Sequence, residues 1–226
     1  MIDPAVVAAR AATVRDRIAS AGGGSDVQLL AVTKGFGVDA VAAAWSAGLV
    51  EVGENYAQEL LDKVVELGAG PIDGHRVEVA WHFIGRLQRN KVRHLAAVVA
   101  LWQTVDRAEL AAEIAKRAPG AAVLVQLNLS GEAQKGGCPP TEAPTLVARA
   151  VELGLDVRGL MGVAPAGPPE QARPGFRQLV ELADRLDLPV RSIGMSADLE
   201  VAVQEGSTMV RVGRDLFGER PPRPST

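Results

Sequence analysis

The chain has 226 residues, 47% hydrophobic and 23% charged, with a formal net charge of −3. That size and balance suit one compact domain with a sizeable core, and the mild acidity excludes a global basic field for a nucleic acid backbone or an anionic membrane surface. The single cysteine, Cys138, excludes an intrachain disulfide, so the cytoplasm is the simplest home.

A helix is expected over 4–20; between Met1 and Gly24, Asp3, Asp16 and the arginines at 10, 15 and 17 break up the alanines. That pattern is not a secretory leader, and no run in the chain approaches the roughly 18 apolar residues of a membrane helix. From residue 26 onward, short β-branched or apolar runs alternate with longer amphipathic stretches. Strands are expected at 27–32, 49–52, 79–84, 98–105, 122–129, 157–163, 190–194 and 208–212. Helices are expected at 39–47, 55–67, 87–95, 107–117, 141–153, 170–186 and 197–205, with another beginning near Asp215. Asp106 followed by Glu109 suggests an N-cap with an acidic partner. Eight strands, each followed by a helix, make a single (β/α)₈ TIM barrel with an extra N-terminal helix; a doubly wound open sheet is the alternative. The barrel is expected to occupy 1–219, and the proline-rich 220–226 to be a tail.

In such a barrel the site lies at the C-terminal strand ends, and polar residues crowd there. Strand one runs into Thr33, Lys34 and Gly35, strand two into Gly53, Glu54 and Asn55. Strand three carries Trp81 and His82. Strand seven ends in Gly194, Met195 and Ser196, strand eight in Arg211, Val212, Gly213 and Arg214. The last two loops suit a phosphate, because glycine permits close backbone approach and helix N-termini favour anions; Ser196 can cap its helix or donate to a phosphate oxygen, the cap alone being the plainer reading.

Only five lysines occur: Lys34, Lys63, Lys91, Lys116 and Lys135. Lys63 and Lys116 fall in helices expected at the surface, Lys91 in another helix, and Lys135 in a glycine-rich loop. Lys34 alone follows directly on an apolar strand, where partial burial disfavours the ammonium and yields a nucleophilic amine. An amine facing a phosphate cradle is what pyridoxal 5′-phosphate (PLP) requires, namely a Schiff base and an anchor. A class I aldolase, or another site for a phosphorylated aldehyde or ketone, needs the same pair, and the pattern does not choose between them.

The ordered motifs LLAVTK at 29–34, GENYAQE at 53–59, WHFIGRLQRNK at 81–91, QLNLS at 126–130, GLMGV at 159–163 and SIGMSADLEVAVQEGSTMVRVG at 192–213 do choose. The chain resembles the pyridoxal phosphate homeostasis proteins, single barrels similar to the N-terminal barrel of alanine racemase. The resemblance implies that Lys34 is the PLP lysine, that Asn55 lies beside the cofactor, and that Met195, Ser196, Arg211 and Gly213 surround its ring and phosphate. Many members carry a second lysine two positions on, where this chain has Phe36. Lys135 matches another family lysine, and Arg214 stands where a small hydroxyl residue is usual. Trp81 reads as packing and His82 is open between packing and site wall. His75, His82 and His94 have no metal-ligand spacing, and Cys138 lacks an obvious base.

A strong PLP enzyme also needs an acid/base residue and usually a carboxylate at the pyridine nitrogen. The racemase analogy puts Arg211 there instead, and the chain's only tyrosine, Tyr56, is not placed to act. The expectation is therefore a cytoplasmic, monomeric protein that binds PLP for storage, protection and delivery to apo-enzymes, without strong catalysis and with no nucleic acid or membrane partner. A weak amino-acid racemase, or a Schiff-base aldolase on the same barrel, is the alternative.

Overall fold

The computed structural model describes residues 1–72, 74–132 and 136–220. In it eight parallel strands close into a barrel in chain order. They are β1 (Gln28–Val32), β2 (Glu51–Glu54), β3 (Ala80–Phe83), β4 (Val99–Val105), β5 (Ala122–Asn128), β6 (Asp156–Val163), β7 (Val190–Met195) and β8 (Met209–Val212). β1 pairs with β8 to shut the barrel, Leu30 opposite Arg211 and Ala31 opposite Val212. A leading helix, α1 (Pro4–Ser20), precedes the strands. After them come α2 (Val38–Ser46), α3 (Ala57–Gly68), α4 (Arg89–Leu95), α5 (Ala108–Arg117), α6 (Ala143–Glu152), α7 (Arg173–Arg185), α8 (Leu199–Gln204) and α9 (Arg214–Phe217). The architecture is thus the (β/α)₈ barrel with an added N-terminal helix. Among the described residues no helix is long and apolar enough to cross a membrane.

The two-residue period of a strand sorts the core into two shells. Leu29 and Ala31 of β1 face outward, into a cluster with Val7, Ala11, Val14 and Ile18 of α1. Leu30 points inward, with Leu101, Leu124, Met161 and Met209. α1 owes its register to spacings of three and four between its buried residues, which place them on one helical face. It starts where it does because Asp3 accepts the N–H of Ala5 at 2.8 Å and Pro4 needs no amide partner in the first turn.

Local chemistry moves several boundaries from those expected. β2 begins at Glu51 rather than at residue 49, because Leu49 closes α2: its N–H bonds the carbonyl of Ala44 at 2.9 Å, across Gly48 at φ +76°. Glu54 is consequently inside β2 and fully buried. α3 starts at Ala57, leaving Asn55 and Tyr56 in the connection. The stretch expected as one helix at 170–186 divides into a single 3₁₀ turn, Pro169–Ala172, and α7, whose first turn holds Pro174. The expected cap by Asp106 does not form: α5 is preceded by Arg107 without a side-chain cap, and Asp106 pairs with the Arg107 guanidinium. Lys135, and 221–226 of the expected tail, lie outside the described residues.

Candidate functional site

At the C-terminal mouth, between β1 and the β7–β8 pair, lies a cavity of about 230 Å³. It is lined by Val32, Lys34, Ile84, Met195, Ser196, Ala197, Arg211, Gly213, Arg214 and Arg220. Five of the six residues expected at a site therefore share one cavity. The sixth, Asn55, lines a neighbouring cavity of about 710 Å³ that also takes in Tyr56, Phe83 and Arg107. β1 and β2 run in parallel with Val32 opposite Gly53, so continuing that register brings Asn55 level with Lys34. Its Oδ1 is buried and accepts no hydrogen bond among the described residues.

Lys34 is half-buried, and its ammonium is disfavoured. Burial pushes its pKa down first, the guanidinium charges of Arg220 and Arg211 push it further, and Glu54 and Glu59 partly oppose them. The backbone around it is tightly held. Thr33 N–H bonds Gly53 O at 3.1 Å, and Gly35 N–H donates to Glu59 Oε1 at 2.5 Å. Gly35 has φ +79°, and a β-carbon there would meet Arg220 Cδ at 2.9 Å. Phe36 is buried against Phe217, ring centroids 5.4 Å apart. The position where a second amine was sought is thus an apolar tie between the β1–α2 loop and α9.

Below the amine a buried polar network runs beside the apolar interior cluster of Leu30. Arg211 donates to Ser192 O at 2.5 Å, to Ser192 Oγ at 2.7 Å and to Gly162 O at 2.7 Å. Ser192 Oγ donates to Gln103 Oε1 at 2.7 Å, and Gln103 Nε2 lies 2.9 Å from His82 Nδ1. Burial lowers the Arg211 pKa to about 10, so it stays charged at neutral pH, and lowers that of His82 to about 4, so the imidazole stays neutral. His82 is therefore a hydrogen-bonded interior residue. Trp81 faces the other way, into the helix–sheet shell.

The opposite wall is backbone. Gly194 has φ +95°, and a β-carbon on it would collide with Ala202 Cβ at 2.6 Å. Asp198, rather than the expected Ser196, sits at the N-cap of α8, and its carboxylate accepts the N–H of Met195 at 2.6 Å. Ser196 Oγ instead faces Asp215 N–H of α9 at 3.4 Å. Among the described residues no backbone hydrogen bond engages the N–H of Ser196, Ala197, Gly213 or Arg214. Those four residues line the cavity together with Arg220, so the arrangement suits an anion. Arg17 of α1 fixes this wall from behind, bonding Ser196 O at 3.0 Å, Glu200 at 2.6 Å and Asp215 at 2.5 Å.

Sequence reasoning missed Arg17, Ile84 and Arg220, and placed Lys63 on the surface. Lys63 is 4% exposed, and its partners Glu54 and Glu59 lie four or more residues away along β2 and α3. The spacing of Glu59 and Lys63, one helical turn apart, was the available signal. Cys138 is buried, with its thiol pushed up to about 11 by desolvation, so it is no nucleophile at neutral pH. Among the described residues no group of three potential metal ligands occurs.

The fold and the mouth define a barrel of the alanine racemase type: residues 2–221 match the model of the family described as alanine racemase, N-terminal domain. The chain is 16% identical to an alanine racemase of Clostridium difficile with a TM-score of 0.70, covering 93% of this chain and 56% of that one, a likeness of fold. Nearer relatives are more particular. The chain is 42% identical over 205 residues to the pyridoxal phosphate homeostasis protein of Aquifex aeolicus, covering 85% of this chain and 87% of that protein. It is 40% identical over 223 residues to the protein of that name in Pseudomonas aeruginosa, covering 95% and 94%. The chain belongs to the pyridoxal phosphate homeostasis protein family. Among solved structures it is similar to PipY of Synechococcus elongatus with PLP bound, at 30% identity and a TM-score of 0.80 over 94% of this chain and all of that one.

Proposed function

We propose that this chain binds pyridoxal 5′-phosphate as a Schiff base on Lys34 and serves intracellular PLP homeostasis by storing, protecting and delivering it. The observation that carries the reading is one cavity lined both by a half-buried amine with a depressed pKa and by Ser196, Ala197, Gly213 and Arg214, whose backbone N–H groups have no backbone partner among the described residues. When bound, the cofactor supplies an aldehyde for the lysine and a phosphate for the far wall.

In this reading Lys34 presents its free amine, Ser196 and Gly213 hold the phosphate, Met195 covers the ring, and Asn55 approaches from the β2 side with its unpaired Oδ1. Arg211 stays a cation held by Ser192 and Gly162, and such a neighbour disfavours a protonated pyridine nitrogen. His82, neutral and bonded to Gln103, offers no proton to the reacting face. These features support binding over turnover. Arg214 and Arg220 add positive charge at the rim.

The buried, unreactive Cys138 fits a reducing, cytoplasmic setting, and in this reading the protein acts as a monomer. Recipients of the released cofactor would be apo-enzymes that use it. The test is the visible spectrum of the protein after adding PLP, with borohydride fixation and peptide mapping, beside Lys34→Ala. A band fixed onto the Lys34 peptide and lost in the variant is expected. A wild type with no band overturns the reading, and would favour a colourless aldolase-type site.

A further inference from the structure

Beneath Lys34, on the side away from the cavity, a buried cluster uses one ammonium to tie down both peptide groups that flank the lysine. Lys63 Nζ donates to Thr33 O at 2.9 Å, to Glu54 Oε1 at 2.5 Å and to Glu59 Oε1 at 2.9 Å. All three donors of the ammonium are thereby used. Thr33 Oγ1 donates to the same Glu54 oxygen at 2.6 Å, and Gly35 N–H donates to the same Glu59 oxygen at 2.5 Å. The Thr33 carbonyl belongs to the peptide before Lys34, the Gly35 N–H to the peptide after it. Fixing both planes fixes the two backbone dihedrals between them, and with them the direction of the Lys34 Cα–Cβ bond.

We propose that Lys63 is a positioning residue for Lys34: with Glu54 and Glu59 it locks the backbone on both sides of that lysine, so that its side chain leaves the backbone in one fixed direction at the cavity. The inference rests on the cofactor reading above and adds to it the part of the chain that pre-sets the amine. A cluster serving only to hold α3 on the barrel has no need to end on the two peptide groups around one residue. Its burial points the same way. Lys63 is 4% exposed and the Glu54 side chain fully buried, and burying such charges carries a desolvation cost that a packed apolar pair of similar volume would not. Preorganisation of this kind removes conformational freedom before the ligand arrives.

The test compares wild type with Lys63→Met/Glu54→Gln, which removes the ammonium together with the carboxylate it would otherwise orphan, and with Glu59→Ala, at a partly exposed position. Folding is checked by circular dichroism and thermal melting. Dissociation constants are then measured for PLP and for pyridoxal, which has the aldehyde and no phosphate. Both variants are expected to bind both ligands more weakly by similar factors, about tenfold or more for the double variant, since the phosphate wall is untouched. If the double variant does not fold, Glu59→Ala decides alone. Variants that are folded and bind like wild type overturn the inference and leave the cofactor reading standing, as does a loss confined to PLP, which would place the effect at the phosphate. A wild type that binds neither ligand overturns both.

Discussion

The Lys34 amine is the residue on which acidity and function meet, and its pH behaviour follows from its neighbours. Because burial and then Arg220 and Arg211 disfavour the ammonium, the free amine exists at a lower pH than in an ordinary lysine, whose pKa is 10.5. The rate of PLP capture should rise with pH and level off below that value, and Arg220→Gln should move the midpoint upward; stopped-flow rates across pH check both. The same shift has a sign for stability. The unfolded chain keeps its proton to higher pH than the folded one, so this lysine opposes folding below its folded pKa and ceases to do so as pH climbs toward 10.5. Apo Lys34→Met is accordingly expected to melt no lower than wild type at neutral pH. Lys34 was legible in the sequence because it follows an apolar strand directly. Lys63 was not, since a lysine on an amphipathic helix reads as the polar face, and its burial depends on Glu54 lying inside β2. Placing that strand two residues early left Glu54 in a loop and hid the pair.

At the scale of elements, the strands and helices were legible because each carries its own period, whereas the contacts between distant elements had no local signal. α1 was legible as a leading helix; that Arg17 reaches the loop after β7 and the start of α9 was not. Arg17→Ala is expected to cost about 1 kcal/mol, its two ion pairs being partly exposed, which for a chain of this size lowers the melting temperature by roughly 2–4 °C. It should also weaken PLP retention by freeing Ser196 and Asp215; a fall in melting temperature with unchanged retention would make α1 a packing element only. The β3–α4 turn offers a sharper case. A β-carbon at Gly85 would lie 1.9 Å from the carbonyl oxygen of Asn55, so Gly85→Ala must displace the backbone beside Lys34. Loss of the fixed band with the barrel still folded, read by circular dichroism and borohydride mapping, is the expected result.

The whole molecule divides its work between the two ends of the chain. The amine follows the first strand, the proposed phosphate wall follows the seventh and eighth, and these meet because β1 pairs with β8. The interior beneath them carries Arg211, Ser192, Gln103 and a neutral His82 in place of a proton donor. Loaded protein given L-alanine is therefore expected to produce no D-alanine above the rate of free PLP, as chiral chromatography would show. Since the binding cavity lies at the seam where the barrel closes, no fragment lacking β8 contains both walls. A chain still emerging from the ribosome thus has a lysine at residue 34 long before it has anything to hold a cofactor against it. A cavity with both walls therefore has to wait until β8 has joined β1.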